Sequence, residues 1–278
     1  MLRLEKSTRG LRNEFVVRKL LELATFFLFE IGGLVREFCA CGGTHYTRES
    51  RVPTRTYLNV GPWPLSPLMT SALRLMSYLL LASRSPRRRQ LLEEVGFTVR
   101  VEAADIEEHS VEADPVAIAM DLAKQKGAAT VARFPALAKE ALFTLAADTV
   151  VWTDDGQVLG KPVDREDARR TLSRLLGTTH QVTTGFAIFG ADATPIALGE
   201  QTAAVTMSSL SASALEAYID TDEPWDKAGA YGVQGLAGAF VSRIEGSWHT
   251  VVGLPVHEVL RVALSNGLLV HMPWESLR

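Results

Sequence analysis

From residue 77 onward, apolar positions along the chain alternate between strand-like and helix-like spacing. Residues 78–82, "YLLLA", are a short apolar run and read as a buried strand. A helix follows. Ser85 stands at its N-cap, Pro86 at its first position, Leu91, Leu92 and Val95 on its apolar face, and Gly96 at its close. Residues 97–102 alternate like a strand. Asp114 and Pro115 open a second helix running to about Arg133, with Ile118, Leu122 and Ala129 near one face. Residues 142–160 read as a buried strand, a turn at Asp155-Gly156 and a short return strand. Asp164 caps a third helix ending at Gly177, and residues 211–221 and 255–266 are helical. "HQVTTGFAIF" and "EQTAAVTMSS" form a strand pair, and "GAFVSRIEGSWHTVVG" reads as a strand and a turn. The pattern predicts a mixed α/β domain, and its hairpins argue against a purely parallel, doubly wound sheet.

The first 75 residues look different. "LLELATFFLFEIGGLV" is apolar but broken by Glu22 and Glu30, and it is shorter than the ~20 clean residues of a membrane span. Pro53, Pro62, Pro64 and Pro67 mark irregular chain. An Arg-bearing start (Arg3, Arg9, Arg12) is a weaker transit-peptide signal. Residues 1–75 are therefore expected to be an extension, disordered or an upstream mis-called start, ahead of a domain spanning 76–278 that begins at Met76.

Charge divides the same way. Residues 1–75 carry 11 Lys and Arg against 6 Asp and Glu, a net of +5. The whole chain nets −3, so the remainder nets −8. Such a body is a poor fit to nucleic acid by bulk electrostatics. Both cysteines, Cys39 and Cys41, lie in the leader. The body therefore has neither a disulfide framework nor a thiol nucleophile, and a reducing cytoplasm is the default expectation.

"SRSPRRRQ" places Ser83, Ser85, Arg87 and Arg88 where the first strand becomes a helix. A helix N-terminus presents unpaired N–H groups and partial positive charge, hydroxyls add donors, and guanidinium forks suit phosphate. A basic run alone reads first as a solvated helix face; the serines and the position after a strand bring a polyphosphate site level with that reading. Known phosphate loops do not fit. "GQVLGKP" has three residues between its glycines where a P-loop has four, and Pro162 stands where the magnesium-holding hydroxyl belongs. "GAYGVQGLAG" has glycine at every third position, which lets backbone approach a ligand closely. Asp148 and Thr149 interrupt an apolar strand, and a carboxylate there needs a partner or a cation. Glu107-Glu108 follows the second strand and is placed to share a metal with Asp148, and Mg²⁺ accepts one or two carboxylates plus phosphate oxygens. Lys126, Lys161 and Lys227 are candidates to neutralise phosphate, the last in a loop expected to touch a base. His180 reads as a structural hydrogen-bonding residue.

"LASRSPRRRQLL", "DIEE", "LAKQK", "AADTVV", "GKPVD", "GTTHQVTTG", "DEPWDKAGAYGVQG" and "GSWHTVVGLP" occur in the order found in the Maf family, and residues 77–268 resemble that family. The resemblance implies an elongated α/β fold with a central cleft, related to house-cleaning pyrophosphatases. It implies the reaction NTP + H₂O → NMP + PPi, aided by Mg²⁺ or Mn²⁺. Asp148 then matches the proton acceptor, and Arg87, Thr149 and Gln234 match specificity positions. Ser85, Arg88, Glu108, Lys126 and Lys161 match other cleft residues. "DKAGAYGVQG" resembles the branch acting on dTTP and UTP; the 7-methyl-GTP branch lacks this glutamine. Gly127 departs from the family's usual alanine, which weakens the helix slightly. The partner expected is a nucleoside triphosphate, with no nucleic acid and no membrane, and a homodimer is left open. The family's historical link to septum formation supplies the alternative, a regulator acting by binding.

Overall fold

The computed structural model describes residues 78–277. The reading of residues 1–75 as an extension, with its two cysteines, lies outside the described residues. Among the described residues, no helix is long and apolar enough to cross a membrane.

Seven strands form one mixed sheet: β1 (Leu79–Leu81), β2 (Val99–Val101), β3 (Thr144–Trp152), β4 (Val158–Leu159), β5 (Thr179–Phe189), β6 (Pro195–Met207) and β7 (Val241–Glu245). Their order is β2-β1-β3-β5-β6-β7, with β4 on the end of β3. β1 lies parallel to β2 and to β3, whereas β3, β5, β6 and β7 run antiparallel in succession. Parallel neighbours require crossovers. These are supplied by α1 (Pro86–Glu94) and by α2 (Pro115–Arg133) with α3 (Pro135–Glu140). The remaining helices are α4 (Arg165–Leu175), α5 (Ala212–Ile219), α6 (Trp248–Val252) and α7 (Val256–Ser265).

Strand alternation separates two cores. Leu79 and Leu81 of β1, with Leu145, Val182, Phe186 and Ile188, join the larger core. Leu80, Ala187 and Phe189 point the other way, into a smaller core with Ala123 and Val131 of α2. Asp114 caps α2, its Oδ2 accepting the N–H of Ala117 at 2.9 Å, and Asp164 caps α4 through the N–H of Asp167 at 2.8 Å. Each such cap contributes about 1 kcal/mol.

The structure adds to or departs from the sequence pattern at four places. The buried face of α2 is the small-residue stripe Ala119, Ala123 and Gly127. Small residues let the helix lie close on the sheet: a Cβ on Gly185 of β5 would fall 2.5 Å from the backbone of Ala119. Ile118 and Leu122 instead line the cleft described below. Gly127 is likewise no mere weakness, since a Cβ there would lie 2.0 Å from Cε2 of the fully buried Phe189. An unexpected helix, α3, follows α2, because Pro135 ends one helix and starts the next. Finally, "WHTVV" after β7 is the helix α6 and not part of a turn. Five such residues carry too little periodicity to tell the two apart.

Candidate active site

A cleft of about 990 Å³ opens where β1 ends, α1 begins and the 223–235 loop folds over. Eleven residues singled out from sequence lie on its walls: Ser83, Ser85, Arg87, Arg88, Glu108, Lys126, Asp148, Thr149, Lys161, Lys227 and Gln234; of the Glu107-Glu108 pair only Glu108 does.

The start of α1 forms one wall. Ser85 occupies the N-cap position with extended backbone, but its hydroxyl makes no capping bond. The expected side-chain cap is therefore absent, and the N–H groups of this end remain without one. Ser83 is buried, and its Oγ accepts from Nη1 of Arg88 at 3.0 Å. Arg88 also donates from Nε to the carbonyl of Gly253 at 2.7 Å and from Nη2 to Oγ1 of Thr149 at 3.0 Å. Burial lowers the Arg88 pKa from its ordinary value, and the charge of Asp148 pulls it back up. Arg88 thus ties α1, β3 and the end of α6 together beside the cleft, and Thr149 extends the link to Thr184 of β5 at 2.9 Å. Arg87 keeps more freedom, with a single 3.4 Å ion pair to Asp226.

Asp148 stands on β3 directly opposite Gly185 of β5, on the face that α2 covers. It is 9% exposed, which makes an unpaired charge there costly. Lys126 of α2 supplies the partner, with Nζ 2.5 Å from Oδ1 of Asp148 and 2.8 Å from Oε2 of Glu108. Glu108 reaches in from residues 102–113, which have no regular secondary structure. Lys161, on the β4–α4 connection, is exposed to the cleft and has no protein partner among the described residues.

Another wall is built by the glycine-rich loop, which meets α1 through the Arg87–Asp226 pair and the β4–α4 connection through the N–H of Gly229 on the carbonyl of Gly160 at 3.1 Å. Lys227 donates to the carbonyl of Glu223 at 2.7 Å and pairs with Asp226. Its ammonium is therefore engaged within the loop. Gln234 is exposed, and its amide makes no bond to the protein among the described residues. The glycines here answer first to the protein's own side chains. A Cβ on Gly235 would meet Oε2 of Glu223 at 2.0 Å, and one on Gly232 would meet Cε of Lys227 at 2.7 Å. Beneath the loop, His180 is fully buried with Nε2 2.9 Å from the hydroxyl of Tyr231, the structural role expected of it. Burial lowers its pKa to about 4.

The sequence reading missed Glu223, Asp226 and Tyr231, which also line the cleft. The signal for the two acids was the run "DEPWD" shortly before the glycines, which sets three acids around a proline; Tyr231, between Ala230 and Gly232, had none.

A Maf-like protein family model matches residues 78–265, nearly all of the described chain. The chain belongs to the Maf family. Curated relatives agree along almost their full length. The dTTP/UTP pyrophosphatase of Symbiobacterium thermophilum is 42% identical over 193 residues, 69% of this chain and 95% of the relative. That of Vibrio cholerae is 44% identical over 184 residues, 66% of this chain and 95% of the relative. That of Pyrococcus furiosus is 39% identical over 188 residues, 67% of this chain and 94% of the relative. The matched Maf region, residues 78–265, contains every cleft residue named above.

Proposed function

We propose that this Maf chain is a nucleoside triphosphate pyrophosphatase that hydrolyses dTTP and UTP to the monophosphate and pyrophosphate. The observation that carries the reading is the lining of the cleft. A helix N-terminus, Arg87, Lys161 and the Lys126–Asp148 pair share its walls with Gln234, whose amide is unengaged among the described residues. The cationic groups suit a polyphosphate and the free amide a base edge. The names of the relatives concur.

Within that reading each group has a task. Arg87, Lys161 and the N–H groups at the start of α1 hold phosphate oxygens and stabilise the charge that develops as the α–β anhydride breaks. Asp148 accepts a proton from the water that attacks the α-phosphorus, while Lys126 fixes its carboxylate. Arg88 and Thr149 keep α1 and β3 in register. Gln234, with one acceptor and two donors, pairs with the carbonyl and N3–H shared by uracil and thymine. Cytosine lacks that N–H.

The residues present fit a divalent cation. The cleft lining carries six Lys and Arg against five Asp and Glu, close to neutral. A polyanion beside Asp148 and Glu108 needs further positive charge. These two carboxylates already converge on one cationic atom, Nζ of Lys126. Among the described residues no cluster of three or more His, Cys, Asp or Glu side chains forms a metal cage. Two carboxylates completed by phosphate oxygens is the set Mg²⁺ favours. Mg²⁺ or Mn²⁺ held there would neutralise phosphate charge and acidify water.

A regulator of septation acting by binding alone finds no support. Arg87 and Arg88, which suggested a basic face, both line the cleft, and Arg88 is bonded into the fold. The absence of cysteine from the body agrees with a cytoplasmic setting. Incubating the protein with Mg²⁺ and each common triphosphate, then separating products, tests the proposal. UMP with pyrophosphate is expected from UTP; UDP with phosphate, or no turnover of any pyrimidine triphosphate, would refute it.

A further inference from the structure

Glu223 lines the cleft but has no task in the chemistry above. Its carboxylate is spent on the loop that carries Gln234. Oε2 accepts the N–H of Leu236 at 2.6 Å, and Oε1 accepts that of Ala237 at 3.0 Å. These are the first N–H groups of a short 3-10 helix, Leu236–Ala239, which have no partner within it. The hydroxyl of Tyr218 donates to Oε1 at 3.0 Å. Tyr218 is itself fixed, buried on α5 and packed edge-on against Phe240 with ring centroids 5.2 Å apart. Burial alone would raise the Glu223 carboxyl, yet these donors hold it below the ordinary range.

The geometry around Gln234 makes this matter. The N–H of Gly235 bonds to the carbonyl of Gly232 at 2.9 Å, closing a turn with Val233 and Gln234 at its centre. Val233 is buried and Gln234 exposed, so the turn has an anchored side and a free side. Glu223 grips the two residues that follow Gly235 and fills the space where a side chain on that glycine would sit. Without that grip, a segment with glycine at 229, 232, 235 and 238 has many competing conformations.

We propose that Glu223 is a positioning residue for base recognition: its carboxylate pins the turn so that the Gln234 amide faces a ring edge bearing a carbonyl next to an N–H. This rests on the reading of Gln234 as the group that contacts the base. It acts through Gln234 and touches neither the phosphates nor the water.

A double-mutant cycle on the full chain tests it, with Glu223→Gln, Gln234→Ala and the double variant. Three quantities are read: KM and kcat for UTP, and the inhibition constant of inorganic tripolyphosphate, a base-free competitor for the phosphate-binding groups. Glu223→Gln should raise KM for UTP about tenfold, the scale of one buried donor left unpaired. It should leave kcat and the tripolyphosphate constant within about twofold. On the Gln234→Ala background it should cost nothing further. Gly235→Ala, which drives a Cβ into the carboxylate, should reproduce the same KM-only change and serves if Glu223→Gln folds poorly. Equal weakening of UTP and tripolyphosphate, a fall in kcat, or additive losses in the cycle would overturn the assignment. If Gln234→Ala raises KM for UTP alone while the Glu223 and Gly235 variants do not, Glu223 is dismissed and the base reading stands. If Gln234→Ala leaves KM for UTP unchanged, both fall.

Discussion

The ammonium of Lys126 bridges two carboxylates, 2.5 Å from Oδ1 of Asp148 and 2.8 Å from Oε2 of Glu108. The Asp148 end is shielded, with side-chain exposures of 17% for Lys126 and 12% for Asp148, whereas Glu108 is 52% exposed. Removing one partner of a buried pair strands the other charge, at a cost of about 3–5 kcal/mol. Lys126→Met should therefore lower the melting temperature markedly and abolish turnover. Adding Asp148→Asn should recover most of the stability and none of the activity. A Lys126→Met variant that melts like the parent would show that the pair does not hold the site together.

Asp148→Asn alone separates charge from shape. It should retain the fold and lose a factor of about 10²–10⁴ in kcat, the usual contribution of a general base. Retention of more than about a tenth of kcat would remove Asp148 from that role.

Much of this was legible in the chain, for reasons that differ by element. Caps and strand ends are local, so Asp114, Asp164 and the apolar run of β1 announced themselves. Asp148 stood out because a charge inside an apolar strand demands an explanation. Other features depend on pairings that only topology creates. Arg88 meets the carbonyl of Gly253, 165 residues away, and nothing in either local stretch names the other. The side of α2 that meets the sheet is set by close packing on Gly185, which admits the alanines and leaves Ile118 and Leu122 to line the cleft, a choice that apolar spacing alone does not make. Glu223 went unnoticed because its partners are backbone N–H groups 13 and 14 residues on, which leave no mark in side-chain pattern.

Gly127 offers a test of packing against propensity. Alanine is the better helix former by about 1 kcal/mol. Its methyl would nevertheless strike the ring of Phe189, which is fully buried and has nowhere to go. Overpacking costs about 1–3 kcal/mol. Gly127→Ala should lower the denaturation midpoint, and adding Phe189→Leu should recover part of the loss. A stabilised Gly127→Ala variant would mean that α2 can shift away from the sheet.

His180 makes stability depend on pH. Its folded pKa lies near 4 against an ordinary 6.5, because burial disfavours the charged ring. The unfolded chain therefore binds the proton more readily. The stabilisation is complete above pH 6.5 and is lost as pH falls toward 4, at about 1.4 kcal/mol per unit, roughly 3 kcal/mol in all. Chemical denaturation between pH 7.5 and 4.5 should show that slope, and His180→Asn should flatten it. An unchanged slope in the variant would assign the acid sensitivity elsewhere.

Hydrolysis of UTP in ¹⁸O-labelled water tests the central claim most directly, because it reports which phosphorus the water attacks. Attack at the α-phosphorus, with Asp148 taking the proton and pyrophosphate leaving, puts the label in UMP and leaves pyrophosphate unlabelled. Mass spectrometry of the two products after a single turnover should find one ¹⁸O in UMP alone; label in pyrophosphate, or products of UDP and labelled phosphate, would contradict the account.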